Sequence, residues 1–352
     1  MVKRYVSLVG GVVGVLAAGV AASILAERRV GARSRGQTSE QLGSLRGRRE
    51  PVVCDDGLEL HAEVDDLIGD GLTIGCPTLV FVHGHALNLD SWHFQRSALR
   101  GEYRMVFYDL RSHGRSARSR GEQCTIDQLG RDLACVLDQV AGAGPVVLVG
   151  HSMGGMTVMA LAEQHPEWFG TRVIGVALIS TTAGGLKAST LGFPGLPGRL
   201  VHLVTPALVA TLARLPRLVE GGRRVGSDFG AAATRRLAFG TETVPQDYVD
   251  FADEMLAGTP IQVVADFFPG FDTHDKYAAL SAIAQIPAVI ICGGRDAITP
   301  AAHSRALAEQ LSSAELVELS GAGHLVLFEE HDAVTTALRR LVAQTAGPKA
   351  GA

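Results

Sequence analysis

The sequence predicts an α/β fold in which helices cover both faces of a mostly parallel β-sheet, a doubly wound arrangement. Six runs rich in Val, Ile and Leu are nearly continuous in apolar character, which is typical of strands buried on both faces of a parallel sheet. Segments with helical patterning separate most of these runs, and this alternation favours a doubly wound sheet. The predicted strands lie at 78–84, 103–110, 146–150, 173–180, 288–294 and 315–321, and the predicted helices at about 126–141, 153–165, 300–312 and 324–344.

Length and composition fit one large domain, or one domain plus an insertion. The chain has 352 residues, 47% of them hydrophobic, which is enough for a sizeable core. The formal net charge is −4 with acidic and basic residues mixed, unlike the basic footprint of a nucleic-acid-binding protein. The five cysteines include no CxxC pair. We therefore expect no nucleic-acid partner, no metal site and no redox motif.

The N-terminal segment, residues 1–26, differs from the rest of the chain. Residues 5–25 carry no charge, and a helix of that length rises about 30 Å, enough to cross a bilayer core. An uncleaved membrane anchor is favoured because the run exceeds the roughly 7–15 residues of a signal-peptide core. The alternative is a secreted protein whose signal peptide begins at the basic Lys3 and Arg4. Basic residues flank the run on both sides, so its orientation stays open, as does the oligomeric state.

A polar, arginine-rich segment at 27–50 is predicted to be a basic linker beside the membrane. The strand pattern begins at residue 51 with a β-hairpin whose turn is Asp56-Gly57.

One long segment, residues 181–286, interrupts the alternation of strands and helices. Its pieces are apolar and punctuated by proline, and the segment is too long for a loop. We predict a helical lid there, inserted into a core formed by residues 51–180 and 287–346. A lid over the carboxyl edge of the sheet excludes water and shapes a substrate pocket.

A candidate nucleophile lies where a predicted strand meets a predicted helix. The sequence GHSMG at 150–154 matches G-x-S-x-G, which places a serine on a sharp strand-to-helix turn. Both glycines are expected to be required because a β-carbon at either position collides with neighbouring backbone. The turn presents Ser152 at the sheet edge, where the positive end of the following helix favours developing negative charge. We therefore predict that Ser152 is a nucleophile.

A serine nucleophile needs a base and an acid that orients the base. His324 follows the last predicted strand, so its side chain projects at the same sheet edge as Ser152. Asp296 follows the preceding strand, and the chain order Ser152, Asp296, His324 is the order expected with this turn. Asp296 is predicted to hold His324 in its productive tautomer. Asp272 and Asp275 are alternatives for the acid.

Two backbone N–H groups are predicted to bind an oxyanion. Met153 follows the nucleophile and supplies one of them. His85 follows a glycine in the loop after the first long strand and supplies the other, and its imidazole is a further candidate for contact with substrate. We interpret His83 and His151 as supports of backbone geometry and His113 as a loop-packing residue.

Together, FVHGH, DLRSHGRS, GHSMGG, GGRDAITP and GAGH closely resemble the motifs of the α/β-hydrolase superfamily, in its lidded serine esterase or lipase-like branch. The resemblance covers roughly residues 51–344, apart from most of the lid. It implies an eight-stranded, mostly parallel sheet, a Ser-Asp-His triad and no cofactor. Epoxide hydrolases and haloalkane dehalogenases of this superfamily carry an aspartate where this chain has Ser152, so their chemistries are disfavoured.

The sequence therefore predicts a serine hydrolase that cleaves a carboxylic ester through an acyl-enzyme. The apolar lid and the predicted anchor favour a hydrophobic acyl group, in a small-molecule or lipid-like ester. Two alternatives stay open. One is a cofactor-free haloperoxidase-like or carbon–carbon bond hydrolase that uses the same triad, and the other is a non-catalytic binding protein.

Overall fold

The computed structural model describes residues 41–68, 76–186, 234–241 and 243–345. The strands in this part of the chain are β1 (Arg48–Arg49), β2 (Val52–Val53), β3 (Glu59–Leu60), β4 (Ala62–Asp65), β5 (Thr78–Val82), β6 (Met105–Tyr108), β7 (Val146–His151), β8 (Val173–Ile179), β9 (Ala288–Gly293) and β10 (Glu315–Leu319). The α-helices are α1 (His93–Leu99), α2 (Ile126–Val136), α3 (Met153–Gln164), α4 (Gln246–Gly258), α5 (Ile261–Thr273), α6 (Leu280–Ile283), α7 (Ala301–Gln310), α8 (Val326–Glu329) and α9 (His331–Thr345), and residues 234–238 are also helical.

Eight of the strands form one sheet in the order β1-β4-β6-β5-β7-β8-β9-β10. The pairs β1 with β4 and β4 with β6 are antiparallel, and the other neighbouring pairs are parallel. All six strands predicted from apolar runs are present, and the predicted α/β fold is confirmed. Strands β5, β6, β7 and β9 consist wholly of buried residues, as strands covered on both faces must. In strand β10, exposed and half-buried residues alternate because this strand lies at the edge of the sheet.

The two faces of the sheet carry separate apolar layers. Along β5, Val80 and Val82 point into a cluster with α2, α3, α5, α6 and α7, whereas Leu79 and Phe81 point into a cluster with α1, α4, α8 and α9. This alternation follows from the two-residue period of a strand. Helices therefore cover the sheet on both sides, which makes it doubly wound.

The register of the parallel strands brings their carboxyl ends together. Val82 at the end of β5 pairs with Gly150 of β7, and His151 of β7 pairs with Ile179 at the end of β8. At the far side, Leu319 of β10 pairs with the last residue of β9. The loops that follow β5, β7, β9 and β10 consequently leave from one edge, where the predicted site residues lie.

The sheet begins earlier in the chain than composition predicts. Strand β1 pairs with β4, Leu45 is buried, and the backbone N–H of Gly47 donates to Glu63 at 2.9 Å. The boundary at residue 50 between linker and core is therefore too late. Backbone pairing and polar contacts hold this segment, and a hydrophobic pattern does not detect them. The expected hairpin is present, with β2 paired antiparallel to β3.

The predicted anchor at 5–25 and most of the predicted linker lie outside the described residues. No helix in the described part of the chain combines the length and the apolar character that crossing a bilayer requires.

Of the predicted lid at 181–286, residues 187–233 and 242 also lie outside the described part. The described remainder contains α4, α5 and α6, which are helical as expected, whereas action as a lid stays a prediction. Helices α4 and α5 belong to opposite apolar layers. Between them, the hydroxyl of Thr259 donates to the carbonyl of Ala86 at 3.1 Å, so the insertion contacts the loop after β5.

The two ends of this insertion meet at its base. The backbone N–H of Lys276 donates to the carbonyl of Ala183 at 2.7 Å. Next to this bond, Gly184 and Asp275 form an antiparallel bridge. The chain therefore leaves the sheet after β8 and returns to almost the same point.

Candidate active site

Ser152 occupies a strained turn between β7 and α3. Its φ is 54° and its ψ is −119°, a backbone conformation that residues other than glycine seldom adopt. A β-carbon at Gly150 would lie 2.6 Å from the carbonyl oxygen of Gly154, and one at Gly154 would lie 2.0 Å from that of Val82. The flanking glycines are therefore required by close backbone packing. The Ser152 N–H donates to Ile179 at 2.9 Å, which fixes the turn against β8.

The structure brings three sequence-predicted residues into one hydrogen-bonded chain. The Oγ of Ser152 lies 2.9 Å from Nε2 of His324, and Nδ1 of His324 lies 2.9 Å from Oδ2 of Asp296. All three residues are buried. This is the spacing that a nucleophile, a base and an orienting acid require.

Asp296 is held by more groups than His324 alone. Its Oδ1 accepts from the backbone N–H groups of Ile298 and Thr299 at 2.9 and 2.8 Å, and its Oδ2 accepts from the hydroxyl of Thr299 at 2.9 Å. Burial alone raises the pKa of Asp296, but the charge of His324 and these hydrogen bonds outweigh burial and lower it below its usual value. Asp296 is therefore ionised at neutral pH. Thr299 was not expected from the sequence, although an aspartate in a turn commonly accepts from the backbone N–H two residues further on, as Asp296 does from Ile298.

The two alternative acids do not replace Asp296. Nδ1 of His324 is bonded to Asp296 rather than to Asp272 or Asp275. Asp275 is exposed at the base of the insertion, where its carboxylate accepts from the N–H of Tyr277 at 3.4 Å.

His151 supports the backbone of the proposed base. Its Nε2 donates to the carbonyl oxygen of His324 at 3.0 Å, and the two rings lie 5.0 Å apart. Burial, and then the neighbouring charge of His324, lower the pKa of His151 to about 3. His151 is therefore a neutral donor at physiological pH, in line with the supporting role expected from the sequence.

The loop after β5 passes directly against the nucleophile. A β-carbon at Gly84 would lie 3.2 Å from Cβ of Ser152 and 2.8 Å from Nδ1 of His151, so only glycine fits there. The next residue is His85, whose N–H was predicted as an oxyanion donor. The other predicted donor, Met153, is the first residue of α3, so its N–H is one of those that a helix leaves unpaired at its start.

Two histidines hold this loop in place. His83 donates through Nδ1 to the carbonyl of Gly84 at 2.8 Å and accepts through Nε2 from the N–H of Leu110 at 2.9 Å. His113 accepts through Nε2 from the N–H of Ala86 at 3.1 Å, where the backbone has a φ of 58°. Burial lowers the pKa of His83 and of His113 to about 3, so both rings are neutral.

The motif DLRSHGRS connects this loop to the one after β6. The carboxylate of Asp109 accepts from the backbone N–H of Leu89 and of Arg115, both at 2.8 Å. A β-carbon at Gly114 would lie 2.4 Å from the same carboxylate, which explains that glycine. The motif thus supports the geometry of the site rather than its chemistry.

Glu329, like Thr299, lies near the site and was not expected from the sequence. Its carboxylate accepts from the N–H of Gly323 at 2.6 Å and from the N–H of Gly240 at 2.9 Å. The N–H of Leu325 donates to the carbonyl of Ala238 at 2.8 Å. Residues 238–240 of the insertion are therefore hydrogen-bonded to the loop that carries His324 and to Glu329. Burial raises the pKa of Glu329, although these backbone hydrogen bonds oppose the shift.

Comparison with known proteins identifies the family of this fold. The family described as the alpha/beta hydrolase fold matches residues 77–331. The chain is 29% identical over 280 residues to the dihydrolipoyllysine-residue acetyltransferase component of the acetoin cleaving system of Pseudomonas putida. That match covers 76% of this chain but only 63% of the relative.

Two solved structures extend the comparison. The enol-lactonase from Burkholderia xenovorans LB400 superimposes with a TM-score of 0.66 at 26% identity, over 84% of this chain and 100% of the other. A thermophilic esterase from Thermogutta terrifontis gives a TM-score of 0.63 at 25% identity, over 85% of this chain and 99% of the other.

Proposed function

Because the chain belongs to the α/β-hydrolase family, we propose that it is a serine hydrolase that cleaves carboxylic esters. The observation that carries the proposal is the unbroken chain of hydrogen bonds from Asp296 through His324 to Ser152, each 2.9 Å long. The likeness to an esterase and to an enol-lactonase supports the same bond type, since a lactone is an internal ester.

The proposed reaction has two halves. Ser152 Oγ attacks the carbonyl carbon while Nε2 of His324 accepts the hydroxyl proton, and the ionised Asp296 stabilises the imidazolium. The backbone N–H groups of Met153 and His85 bind the oxyanion. When the tetrahedral intermediate collapses, His324 gives its proton to the departing alcohol. Water, deprotonated by His324, then attacks the acyl-enzyme. When this second tetrahedral intermediate collapses, His324 returns the proton to Ser152 Oγ, and the acid and the free serine are released.

The electrostatics of the site favour His324 as the base. His83, His113 and His151 lie nearby, but burial lowers the pKa of each to about 3, which makes them poor proton acceptors at neutral pH. Only His324 combines contact with the nucleophile and contact with an ionised carboxylate among the described histidines.

The proposal extends to the acyl group of the substrate and to attachment of the protein to a membrane. A hydrophobic acyl group is supported by Phe267 and Phe271 of α5. Their rings pack against His85 in the loop after β5, which we call the oxyanion loop. Attachment to a membrane through residues 5–25 is supported by their uncharged composition.

Labelling with a fluorophosphonate probe tests the proposal. We expect the full-length protein to be labelled and Ser152→Ala to be unlabelled, because only an activated serine reacts. Ser281→Ala, on the exposed surface of α6, is the matched control and should label like the wild type. A folded wild-type protein that resists labelling contradicts the proposed function. A series of p-nitrophenyl esters then tests the acyl group, and fastest hydrolysis of the acetate contradicts a hydrophobic preference.

A further inference from the structure

The imidazole of His85 is a polar group that the mechanism above does not use. Neither ring nitrogen has a hydrogen-bond partner among the described residues, although both atoms are shielded from solvent. The other histidines around the site each bond through at least one ring nitrogen: His83, His113, His151 and His324. Buried polar atoms in proteins are normally paired, so the unpaired ring of His85 needs an explanation.

Among the described residues, the rings that contact His85 do not supply the missing partner. Both ring nitrogens of His113 are already bonded to backbone groups, at 3.1 and 2.9 Å. The other rings against His85 are those of Phe271 and Phe267, with centroids 5.1 and 5.8 Å away in edge-on contacts. An N–H directed at an aromatic face is a weak, second-order interaction, and it leaves the lone pair of the other nitrogen unsatisfied.

The protonation state of His85 narrows what the ring can bind. Burial, and then the neighbouring His113, lower the pKa of His85 to about 3. At neutral pH the ring therefore offers one N–H donor and one acceptor and no charge. An uncharged oxygen fits this ring better than a carboxylate does, because burying an unpaired negative charge is costly.

The position of His85 narrows which part of a substrate it meets. It follows Gly84, whose hydrogen in place of a β-carbon lets the loop lie against Cβ of Ser152. Its own backbone N–H is a proposed oxyanion donor. A group bonded to the ring therefore belongs to the part of the substrate near the scissile carbonyl.

We propose that the imidazole of His85 binds a second, uncharged oxygen of the substrate, an ether, keto or hydroxyl oxygen near the scissile carbonyl. Phe271, which packs edge-on against His85 and is only partly buried, covers the hydrocarbon beside that oxygen. This inference rests on the proposed ester hydrolysis and narrows its substrates to oxygenated esters or lactones.

Two pairs of esters test the inference, because the members of each pair differ only by exchange of one CH₂ for oxygen. On the acyl side the pair is p-nitrophenyl butanoate and p-nitrophenyl methoxyacetate, and on the alcohol side it is butyl butanoate and 2-methoxyethyl butanoate. The measured quantity is the ratio of kcat/KM for the oxygenated ester to that for its hydrocarbon partner. Comparing this ratio between variants cancels the intrinsic reactivity of the esters.

The variants separate hydrogen bonding from packing. His85→Phe keeps an aromatic ring against Phe267 and Phe271 but removes both nitrogens, and we expect it to lower the ratio about tenfold for at least one pair. His85→Asn and His85→Gln place an amide near the positions of the two ring nitrogens, and one of them should restore part of the ratio. Where His85→Phe does not fold, His85→Leu takes its place.

The outcomes distinguish the inference from the function on which it rests. Unchanged ratios for both pairs, in variants that still label with the fluorophosphonate, overturn the role of His85 and leave the ester hydrolase intact. A wild-type protein that neither labels nor hydrolyses any of the four esters overturns both.

Discussion

The carboxylate of Glu329 lies 2.6 Å from the backbone nitrogen of Gly323, the residue immediately before His324. The same carboxylate also accepts from Gly240 in the returning insertion. The junction is tight, since a β-carbon at Gly323 would lie 2.5 Å from the nitrogen of Gly240. The position of the proposed base therefore depends on a side chain that takes no part in the chemistry.

Replacing Glu329 tests this dependence. Glu329→Ala leaves two backbone N–H groups without their acceptor and lets the His324 loop shift, so we expect kcat to fall about tenfold with a smaller change in KM. Glu329→Gln keeps an acceptor oxygen and should recover part of the loss. Glu330→Ala, at the exposed neighbouring position, is the control. Ester kinetics that are equal for Glu329→Ala and wild type contradict a positioning role.

Gly84→Ala is expected to impair the oxyanion loop. Its new β-carbon would press on Ser152 and His151, so the loop must move away from the nucleophile. We expect kcat to fall about 10- to 100-fold, short of the full effect of losing an oxyanion donor. Gly144→Ala is the matched control, because a β-carbon there meets nothing within 4 Å. A Gly84→Ala enzyme as active as Gly144→Ala argues against this loop as part of the site.

His113→Phe is expected to loosen the same loop by a different route. The ring packing is kept, but the N–H of Ala86 loses its acceptor at a strained position. We expect kcat toward p-nitrophenyl esters to fall about tenfold. His165→Phe, whose ring stacks on Trp168 at the surface, should leave kcat unchanged. Equal activity in both variants would falsify the supporting role of His113.

The pKa of Asp296 gives a prediction about stability and pH. Despite its burial, the charge of His324 and the hydrogen bonds hold the pKa of Asp296 below its usual value in the folded chain. Such a carboxylate stabilises the folded state at pH values above its pKa in the unfolded chain, about 3.9. This contribution is lost as the pH falls through the lower pKa of the folded chain. We expect Asp296→Asn to unfold at lower denaturant concentration than wild type at pH 7, and the gap to narrow below about pH 4.

Denaturant unfolding over a pH series measures that gap. Asp332→Asn, at the exposed start of α9, is the comparison variant. A gap between wild type and Asp296→Asn that stays constant from pH 7 to pH 3 contradicts the assignment, because the stabilisation then does not come from the carboxylate charge.

The parts of the fold that apolar runs encode could be predicted, and the parts that polar contacts encode could not. Strands β5, β7 and β9 are buried on both faces, so their composition alone reveals them. Strand β1 consists of two exposed arginines and is held by pairing with β4, which no hydrophobic pattern records. The single helix predicted at 324–344 is divided at Glu330, where the backbone leaves the helical region.

The candidate site shows the same division. Ser152, Asp296 and His324 each follow a strand within a recognisable motif, so local sequence indicated them. Glu329 contacts Gly240 across 89 residues of chain, and that contact has no local pattern.

The meeting of the insertion's two ends at Ala183 and Lys276 has a consequence for how such a chain can change. Because entry and exit share one backbone hydrogen bond, the length of the segment between these points does not set the register of β8 and β9. An exchanged segment must still supply the contacts that Ala238 and Gly240 make with the His324 loop. If the insertion acts as the proposed lid, a segment from another family member grafted at this junction with those contacts kept is expected to change which esters are hydrolysed.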